Sequence, residues 1–495
     1  MSNCKLIIKD EVNIKLEGLA VETRRKIANK LKYDLPYARH MPAYKLGRWD
    51  GTKSYFGIGG TGYLAHLDVI LPIITEAGYE IDVEDERQPH EFKFTPVTEN
   101  YWADQGKTWP KGHPEAGKPI KLRDYQYDVV NKFLENPQAL QEVATGAGKT
   151  ITTATLSQLC EPYGRTMVIV PNKSLVVQTE EDYRNLGLDV GVYFGDRKEL
   201  NKTHTICTWQ SLNVLDKNSY DDAALSLAEF TEGVAAIIVD EVHQAKAEVL
   251  TKLLTQNFKN CAIRWGLTGT VPKEAWEFQG ILASIGPVIN HVSANDLQEK
   301  GVLSNLHINI LQTTDVQVFR SYAEENSFLV TDPHRMSWMS AKVKELSLTG
   351  NTLVLVNRIE TGNILVKELS TLFGTIKEGK PEVAFINGSV KLDDRKEEYD
   401  EVRTATNKII VATYGVAAVG INIPRIFNLV LVEPGKSFVR VIQSIGRGIR
   451  KAEDKDFVQI WDITSTCKYA KRHLTERKKY YKDAKYPFTI TKVNI

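Results

Sequence analysis

A glycine-rich run that ends in Lys and Thr, residues 144–150, has the composition of a loop that binds phosphate. Its two glycines let the backbone approach phosphate oxygens, and Lys149 adds a positive charge near the β- and γ-phosphates. Thr150 supplies a hydroxyl for Mg²⁺. The strict pattern Gly-x-x-x-x-Gly-Lys-Ser/Thr is not met, because Val143 stands where the first glycine belongs. The alternative to a nucleotide site is a glycine-rich turn that happens to precede Lys-Thr.

Two adjacent carboxylates follow an apolar run about 90 residues further on, in Ile237-Ile238-Val239-Asp240-Glu241-Val242-His243. Asp240 would hold Mg²⁺ through water, and Glu241 would accept a proton from an attacking water. The alternative is a strand followed by a solvated acidic loop, because Asp-Glu pairs are common. The strand-end placement, downstream of a phosphate loop, favours a magnesium and water site. His243 alone is more typical of a structural hydrogen bond than of catalysis.

A third candidate segment, Gln443-Ser444-Ile445-Gly446-Arg447-Gly448-Ile449-Arg450, carries two arginines three residues apart. On a helix Arg447 and Arg450 share one face, where two guanidinium groups can contact a triphosphate and stabilise charge in phosphoryl transfer. The alternative is a solvated basic helix face. The two glycines argue against that alternative, because they weaken a helix without a local benefit.

The elements that must position these residues are predicted from apolar runs that are continuous rather than alternating, which is typical of buried parallel strands. The runs fall in two blocks after residue 120, each with helical patterns between the strands. The fold class predicted is α/β with two parallel sheets after a small α+β domain. The predicted segments are 1–88 (N-terminal domain), 89–120 (linker rich in Pro and Gly), 121–304, 305–465 and 466–495 (basic tail).

The composition excludes several classes of protein. The 495 residues carry 63 basic and 62 acidic side chains, and 42% are hydrophobic, which is ordinary for a globular protein. The five cysteines form no Cys-x-x-Cys pair, so a zinc site or disulfide frame is not expected. No run of 18 apolar residues occurs and the N-terminus lacks a signal-peptide core. We expect a cytoplasmic protein.

The net charge of +1 conceals regional differences. Residues 121–300 carry 17 basic and 23 acidic side chains, whereas residues 466–495 carry nine and two. The basic stretch is interleaved with tyrosines, which suits contact with phosphates and stacking or packing. The alternative is a helix whose Lys side chains lie over the second lobe.

These three motifs resemble, in the same order, those of superfamily 2 helicases and translocases. Other motifs of that family fall between them and bring the coverage to about residues 121–465: the adenine-reading segment at 123–126, motif Ia at 170–175, motif Ib at 207–212, motif III at 267–270, motif IV at 351–357 and motif V at 411–422. The resemblance implies two tandem RecA-like lobes that bind ATP and Mg²⁺ and move along nucleic acid.

The resemblance also implies roles for individual residues. Those expected to act in catalysis are Lys149, Asp240, Glu241, Gln443, Arg447 and Arg450. Those expected to bind ATP are Arg123, Gln126, Thr145, Gly146, Ala147, Gly148, Lys149, Thr150 and Gly420, with Thr150 and Asp240 on the metal. Those expected to couple the ATP and nucleic-acid sites are His243, Thr268 and Thr270.

Contacts with DNA are expected from loops and helix N-termini that hold phosphates without reading sequence. The candidates are Asn172, Lys173, Trp209, Gln210, Arg358, Asn387, Gly388, Thr413, Arg48, Lys478 and Lys479. For Trp209 a place in the hydrophobic core competes evenly with stacking on a base. The basic cluster of Lys45, Arg48 and Lys53 around Trp49 is either a DNA contact or a solvated hairpin.

Within the superfamily, the resemblance is to phage branch-migration helicases of the UvsW type. Residues 45–51, Lys-Leu-Gly-Arg-Trp-Asp-Gly, are similar to a stretch of their N-terminal domain, and residues 460–462, Ile-Trp-Asp, are similar to their ending. The stretch at 45–51 could equally be a generic β-turn. The resemblance implies a bacteriophage T5-like DNA helicase, acting on forks and four-way junctions in replication, recombination or repair.

Other functions stay open at this point. One is a duplex translocase that does not separate strands, as the motor of a larger nuclease, although residues 1–120 show no clear carboxylate–Lys metal cluster. Another is a nucleic-acid binding or annealing protein with a vestigial ATP site. RNA is also an open substrate, because these motifs do not distinguish the 2′-hydroxyl. We expect a monomer.

Overall fold

The computed structural model describes residues 2–495 apart from positions 112, 114, 219–224, 243–246, 374–382, 391–393, 395, 396, 399, 400, 403, 418–424, 438–440, 442–444, 447 and 449. The chain forms two compact units, residues 1–143 with 148–291 and residues 144–147 with 292–495. Four predicted site residues, His243, Gly420, Gln443 and Arg447, lie outside the described residues. Across the described part, no helix is long and apolar enough to cross a membrane.

The N-terminal part of the first unit is a small sheet packed with helices. Its elements are β1 (Ser2–Ile8), β2 (Asn13–Glu17), α1 (Val21–Lys30), β3 (Lys32–Asp34), α2 (Pro42–Lys45), β4 (Thr52–Ser54), β5 (Thr61–Tyr63), α3 (Leu67–Glu76) and β6 (Tyr79–Asp85). The sheet order is β5-β2-β1-β6, and β3 and β4 form a separate hairpin. Alternate residues of β2, Ile14 and Leu16, are buried, and they share a core with Ile27 of α1 and Ile74 of α3.

The predicted linker, residues 89–120, has no helix or strand in its described residues, but parts of it pack firmly. The Trp102 side chain is fully buried and its Nε1 donates to Thr155 Oγ1 at 2.9 Å. Val97 exchanges two hydrogen bonds with the side chain of Asn131. This connection is therefore attached to the ATP-binding lobe predicted by the sequence.

The rest of the first unit is built on an eight-stranded sheet in the order β10-β9-β11-β8-β12-β13-β7-β14. Its elements are α4 (Asp124–Glu135), β7 (Gln138–Val143), α5 (Lys149–Cys160), β8 (Arg165–Val170), α6 (Lys173–Asn185), β9 (Val190–Phe194), β10 (Arg197–Lys198), β11 (His204–Thr208), α7 (Trp209–Asn218), α8 (Leu227–Phe230), β12 (Val234–Asp240), α9 (Ala247–Lys252), a π-helical turn (Leu253–Asn257), β13 (Ile263–Thr268), α10 (Ala275–Ser284) and β14 (Val288–Val292). The strands from β9 to β7 in that order pair in parallel. The apolar runs predicted as buried parallel strands become the central strands β8 and β12.

The second unit is built on a seven-stranded sheet in the order β17-β18-β16-β19-β20-β15-β21, in which each pairing is parallel. Its elements are α11 (Ala294–Glu299), β15 (Asn305–Thr313), α12 (Tyr322–Thr331), α13 (Pro333–Ser347), β16 (Thr352–Val356), α14 (Ile359–Phe373), β17 (Val383–Ile386), β18 (Ile409–Thr413), α15 (Tyr414–Ala417), β19 (Asn428–Val432), β20 (Phe457–Ser465), α16 (Lys468–Asp483) and β21 (Phe488–Val493). The segment predicted as a basic tail supplies α16 and the edge strand β21. The predicted fold class, two parallel α/β sheets after a small α+β domain, is confirmed.

Candidate nucleotide and nucleic-acid sites

The glycine-rich run connects the end of β7 to the start of α5. Val143, at the position of the missing first glycine, is the last residue of β7 and is buried, so the strand end itself opens the loop. Gly146 and Gly148 both have a positive φ, of 88° and 76°, which glycine adopts without strain. Lys149 then begins a helix of 12 residues, whose N-terminus carries free N–H groups and a partial positive charge. This geometry is what a phosphate-binding loop requires.

Lys149 and Glu241, predicted from motifs far apart in sequence, form a buried ion pair. Lys149 Nζ lies 2.9 Å from Glu241 Oε1, and the two side chains are 9% and 6% exposed. Glu241 has a φ of 50°, a conformation that costs about 1–3 kcal/mol for a residue other than glycine and is concentrated at functional sites. Its second carboxylate oxygen accepts from Gly269 N at 3.3 Å, after β13. The ends of three neighbouring strands therefore meet at one carboxylate.

The segment predicted to read adenine lies against the same loop. Gln126 is buried in the first turn of α4, and its Oε1 accepts from the backbone N–H of Arg123 at 2.9 Å. The Arg123 guanidinium donates to the Tyr125 hydroxyl at 3.1 Å. A Cβ added to Gly148 would lie only 2.6 Å from Gln126 Nε2, so this glycine also provides room for the amide.

The predicted coupling residues Thr268 and Thr270 are buried at the end of β13. Thr268 Oγ1 donates to Thr270 O at 2.8 Å, and Thr270 N donates back to Thr268 Oγ1 at 3.2 Å. Glu142, which is not among the predicted site residues, accepts from Val271 N at 3.2 Å and contacts His291 Nδ1 at 2.8 Å. A carboxylate next to the last residue of the strand that leads into the phosphate loop was the signal that could have identified it.

The nucleic-acid candidates of the first unit follow β8 and β11, neighbours in the sheet. Asn172 caps α6, its Oδ1 accepting from Leu175 N at 3.1 Å, and Lys173 is exposed beside it. Gln210 Nε2 donates to Pro171 O at 3.2 Å and so ties the two loops together. The Trp209 side chain packs against the hydrophobic core, which favours the core alternative over base stacking.

The strand order separates the two predicted functions along one sheet edge. The carboxyl ends of parallel strands lie at the same edge, which is where α/β proteins bind ligands. In the first unit, β11 and β8 lead to the nucleic-acid candidates, whereas the neighbouring β12, β13 and β7 lead to the nucleotide candidates. A continuous edge thus carries both sets.

The second unit repeats this arrangement for its nucleic-acid candidates. Asn387 and Gly388 follow β17, Thr413 ends β18 and Arg358 follows β16, and these three strands are adjacent in the sheet. Asn387 Oδ1 accepts from Ser389 N at 2.9 Å, which forms a tight turn with Gly388 exposed next to it. Arg358 is half-buried and its guanidinium reaches Ser327 Oγ at 3.4 Å.

Arg450, the described member of the predicted arginine pair, is held through its backbone. Lys455 is buried, and its Nζ donates to Gly448 O at 2.6 Å and to Arg450 O at 2.8 Å. Burial lowers the pKa of Lys455 to about 7, and the nearby Arg450 charge acts in the same direction. Gly448 packs closely on the sheet, because an added Cβ would lie 3.0 Å from a Leu429 methyl group. This close packing is the local benefit that offsets the cost of a glycine in a helix, and the sequence alone did not reveal it.

The basic C-terminal stretch is divided between the core and the surface. Arg477 of α16 is fully buried and pairs with Asp462 of β20, Nε to Oδ2 at 2.8 Å and Nη2 to Oδ1 at 2.9 Å. Tyr481 also donates to Asp462, at 2.7 Å. Lys479 is exposed and pairs with a neighbouring glutamate, while Lys478 is half-buried. Arg477 and Tyr481 therefore pack on the second sheet, and the lysines stay candidates for DNA contact.

Glu433, which follows β19, is a buried carboxylate that the sequence did not single out. Its Oε1 lies 3.7 Å from the Arg335 guanidinium, and its backbone O accepts from Asn357 Nδ2 at 2.8 Å. It has a φ of 41°, the left-handed conformation. Burial raises the pKa of Glu433 to about 7, against the opposing effect of Arg335.

Replacing Glu433 with Gln is expected to flatten the pH dependence of unfolding between about pH 4.5 and pH 7. Because the folded pKa lies above the unfolded one, the unfolded chain loses its proton first as the pH rises. The wild type therefore loses stability across this window, by up to about 3 kcal/mol, and the glutamine variant does not. Urea denaturation of both proteins at several pH values measures their free energies of unfolding. The contributions of the other titrating groups cancel in the difference between the two proteins. Equal pH slopes would contradict the prediction.

Two family models match the chain, one in the region of each parallel sheet. The model for the type III restriction enzyme res subunit matches residues 119–273, and the model for the helicase conserved C-terminal domain matches residues 338–452. The first match contains the phosphate loop and acidic box, and the second ends just after Arg450.

Three similar proteins extend this picture. The ATP-dependent DNA helicase UvsW of Enterobacteria phage T4 is 22% identical over 491 residues, which covers 92% of this chain and 93% of that protein. The DNA 3′-5′ translocase XPB2 of Sulfurisphaera tokodaii is 24% identical over 378 residues, covering 70% of this chain and 82% of its own. Among solved structures, the helicase Lhr of Mycobacterium smegmatis bound to single-stranded DNA and AMP-PNP has a TM-score of 0.52 at 17% identity, covering 74% of this chain and 48% of that one.

The resemblance predicted from the motifs is thereby confirmed. Both family models, the order of the motifs on two parallel sheets and the relatives agree on one class of enzyme. The chain belongs to the superfamily 2 helicases and is an ATP-hydrolysing helicase.

Proposed function

We propose that this enzyme is a DNA helicase that unwinds and branch-migrates forked or four-way-junction DNA in replication, recombination or repair. The observation that carries the proposal is the extent of the match with phage T4 UvsW. It covers 92% of this chain and 93% of that protein, and thus includes the N-terminal domain as well as both lobes. The match with the XPB2 translocase covers 70% of this chain.

The nucleotide site fits ATP with Mg²⁺. The loop from Thr145 to Gly148 and the start of α5 offer backbone N–H groups to phosphates. Lys149 would move from Glu241 to the β- and γ-phosphates, because a phosphate is the stronger anionic partner. Thr150 and Asp240 would hold Mg²⁺, which supplies charge neutralisation on the phosphates.

Glu241, once released by Lys149, is placed to accept a proton from the attacking water. Its link to Gly269 N connects the hydrolysis site to the loop of Thr268 and Thr270. Arg450 and Arg447 of the second lobe, with Gln443, would complete the site, so that hydrolysis depends on the position of the lobes. His243, Gly420 and the adenine-reading residues Arg123 and Gln126 are assigned to the same site by family resemblance.

DNA would lie along the sheet edges next to the nucleotide residues. The first unit offers Asn172, Lys173 and Gln210, and the second offers Arg358, Asn387, Gly388 and Thr413. These are loop and helix-start residues that contact phosphates without reading bases. Arg48, Lys478 and Lys479 would hold duplex arms. We propose a monomer that works in the cytoplasm, in the host cell for a phage-encoded protein.

Branched DNA is expected to stimulate ATP hydrolysis more than linear single strands do, and to be remodelled faster than a linear duplex is unwound. The reason is that a branch would contact both lobes and the N-terminal domain at once, because DNA-binding candidates are proposed in all three. Phosphate release and strand displacement on a fork, a Holliday junction and a linear duplex of equal length test this. Equal or reversed stimulation would remove branch migration and leave a general helicase, and the same substrates in RNA test the sugar preference.

A further inference from the structure

The N-terminal part of the first unit exposes large apolar side chains in one short segment, residues 38–49. Met41, Tyr44 and Leu46 are 41%, 39% and 65% exposed, and they lie on or beside the single turn of α2. Tyr44 packs over Gly51, where an added Cβ would lie 2.9 Å from its ring. The contact between the Tyr44 ring and Gly51 therefore holds the turn in place, with its apolar side chains at the surface. Clustered exposed apolar groups are typical of interaction sites.

The same segment is cationic. No Asp or Glu occurs between Asp34 and Asp50, whereas Arg39, Lys45 and Arg48 are all exposed. Among the described residues, none of these three cations forms a side-chain hydrogen bond or ion pair, in contrast to Lys32, which pairs with Asp50. Mixed apolar and cationic surface is complementary to the end of a DNA duplex, which offers a base-pair face between two phosphate strands.

The segment is bracketed by contacts to the two helices that follow the nucleotide strands. Tyr37, just before it, donates to the Glu248 carboxylate of α9, and its ring packs edge-on against Trp276 of α10 at 5.6 Å. Tyr55, just after it, donates to Trp276 O at 2.5 Å. Helix α9 begins seven residues after Asp240, and α10 begins five residues after Thr270. The residues that flank the segment are thus anchored on the helices that follow strands β12 and β13, whose ends carry nucleotide candidates.

We propose that the 38–49 segment is the branch-point element of the helicase. Its apolar side chains stack on the base pair at which DNA arms separate, while Arg39, Lys45 and Arg48 hold the flanking phosphates. The proposal rests on the proposed action on branched DNA and adds the surface that recognises the branch. A protein partner is the competing occupant, and the unpaired cations favour DNA over it.

The test is the double variant Met41→Ser/Leu46→Ser in the full chain. Both side chains are exposed, so the fold should tolerate the change. Loss of these apolar contacts with the base pair should slow junction remodelling roughly tenfold, while ATP hydrolysis on linear single strands stays at the wild-type rate. Val83→Ser is the matched control, since Val83 is an apolar side chain 58% exposed on β6 of the same domain, and it should leave both rates unchanged. Junction remodelling by the double variant at the wild-type rate would overturn the proposal.

A binding measurement without ATP separates this proposal from the proposed function. The fluorescent base 2-aminopurine is placed either at the branch of a four-way junction or within an arm. Wild-type protein should change the fluorescence at the branch only, and the double variant should not. The 2-aminopurine signal can be as expected although branched DNA fails to stimulate ATP hydrolysis. In that case the proposed branch migration is wrong and the branch-point element is supported. If both proteins give the same signal at the branch, the element is wrong, whatever the outcome for branch migration.

Discussion

Lys149→Ala is expected to abolish ATP hydrolysis stimulated by DNA while leaving DNA binding largely intact. Lys149 stands at the first position of α5, at the end of the glycine-rich loop, where its charge would stabilise the β- and γ-phosphates. Loss of one preorganised charge or donor at such a site typically costs about 10²- to 10³-fold in rate. Phosphate release in the presence of single-stranded DNA measures the loss, and fluorescence anisotropy measures DNA binding.

Glu241→Gln is expected to have the same effect by a different route. The amide keeps the shape of the side chain and can still accept from Gly269 N, but it cannot take a proton from water. General-base catalysis contributes about 10²- to 10⁴-fold, so hydrolysis should fall by that amount while ATP still binds. A filter assay for bound ATP distinguishes this variant from Lys149→Ala, in which phosphate contact itself is weakened.

The matched control is Lys202→Ala. Lys202 also pairs with a carboxylate at 2.9 Å, that of Asp189, but the two side chains are 41% and 50% exposed and lie away from the glycine-rich loop. Surface pairs of this kind contribute about 0–1 kcal/mol to stability, and this one has no place in phosphoryl transfer. Normal hydrolysis by Lys149→Ala or Glu241→Gln, with the control also normal, would contradict the assignment of the nucleotide site.

The sequence predicts the parts of the site that depend on local pattern. Continuous apolar runs identify β8, β12, β16, β18 and β19, and parallel pairing then forces the residues after them to one edge of each sheet. That is why the phosphate loop and acidic box, about 90 residues apart, could be placed in one site, where Lys149 contacts Glu241.

The sequence does not predict which charged side chains are buried by distant partners. Arg477 has the same appearance as its lysine neighbours in the basic stretch, and only the position of Asp462 beneath α16 distinguishes it. The charged partner of Glu433 is likewise Arg335, nearly a hundred residues away, and the hydrogen-bond partner of Tyr37 is Glu248. Such pairs are set by tertiary packing, for which a single sequence carries no periodic signal. The contacts that Tyr37 and Tyr55 make with α9 and α10 depend on tertiary packing in the same way.

Arg477→Ala is expected to destabilise the second unit by about 3 to 5 kcal/mol, because it leaves the Asp462 carboxylate fully buried without its counter-charge. The Tyr481 hydroxyl is a remaining donor to that carboxylate, but it carries no charge to balance it. Urea denaturation followed by circular dichroism measures the loss as a lower midpoint, or as an earlier separate transition if the two units unfold independently.

The control for this variant is Lys479→Ala, two residues further along α16. Lys479 pairs with Glu476 at the surface, with the two side chains 62% and 41% exposed, and should contribute less than about 1 kcal/mol. Removing the buried charge as well, in Arg477→Met/Asp462→Asn, should recover most of the stability, because uncompensated charge rather than lost packing dominates the cost. If Arg477→Ala and Lys479→Ala are equally stable, the buried role of Arg477 is wrong, and Arg477 belongs to the exposed basic surface that the sequence first indicated. A loss in Arg477→Ala that the double variant does not recover would instead assign the cost to packing of α16 on β20.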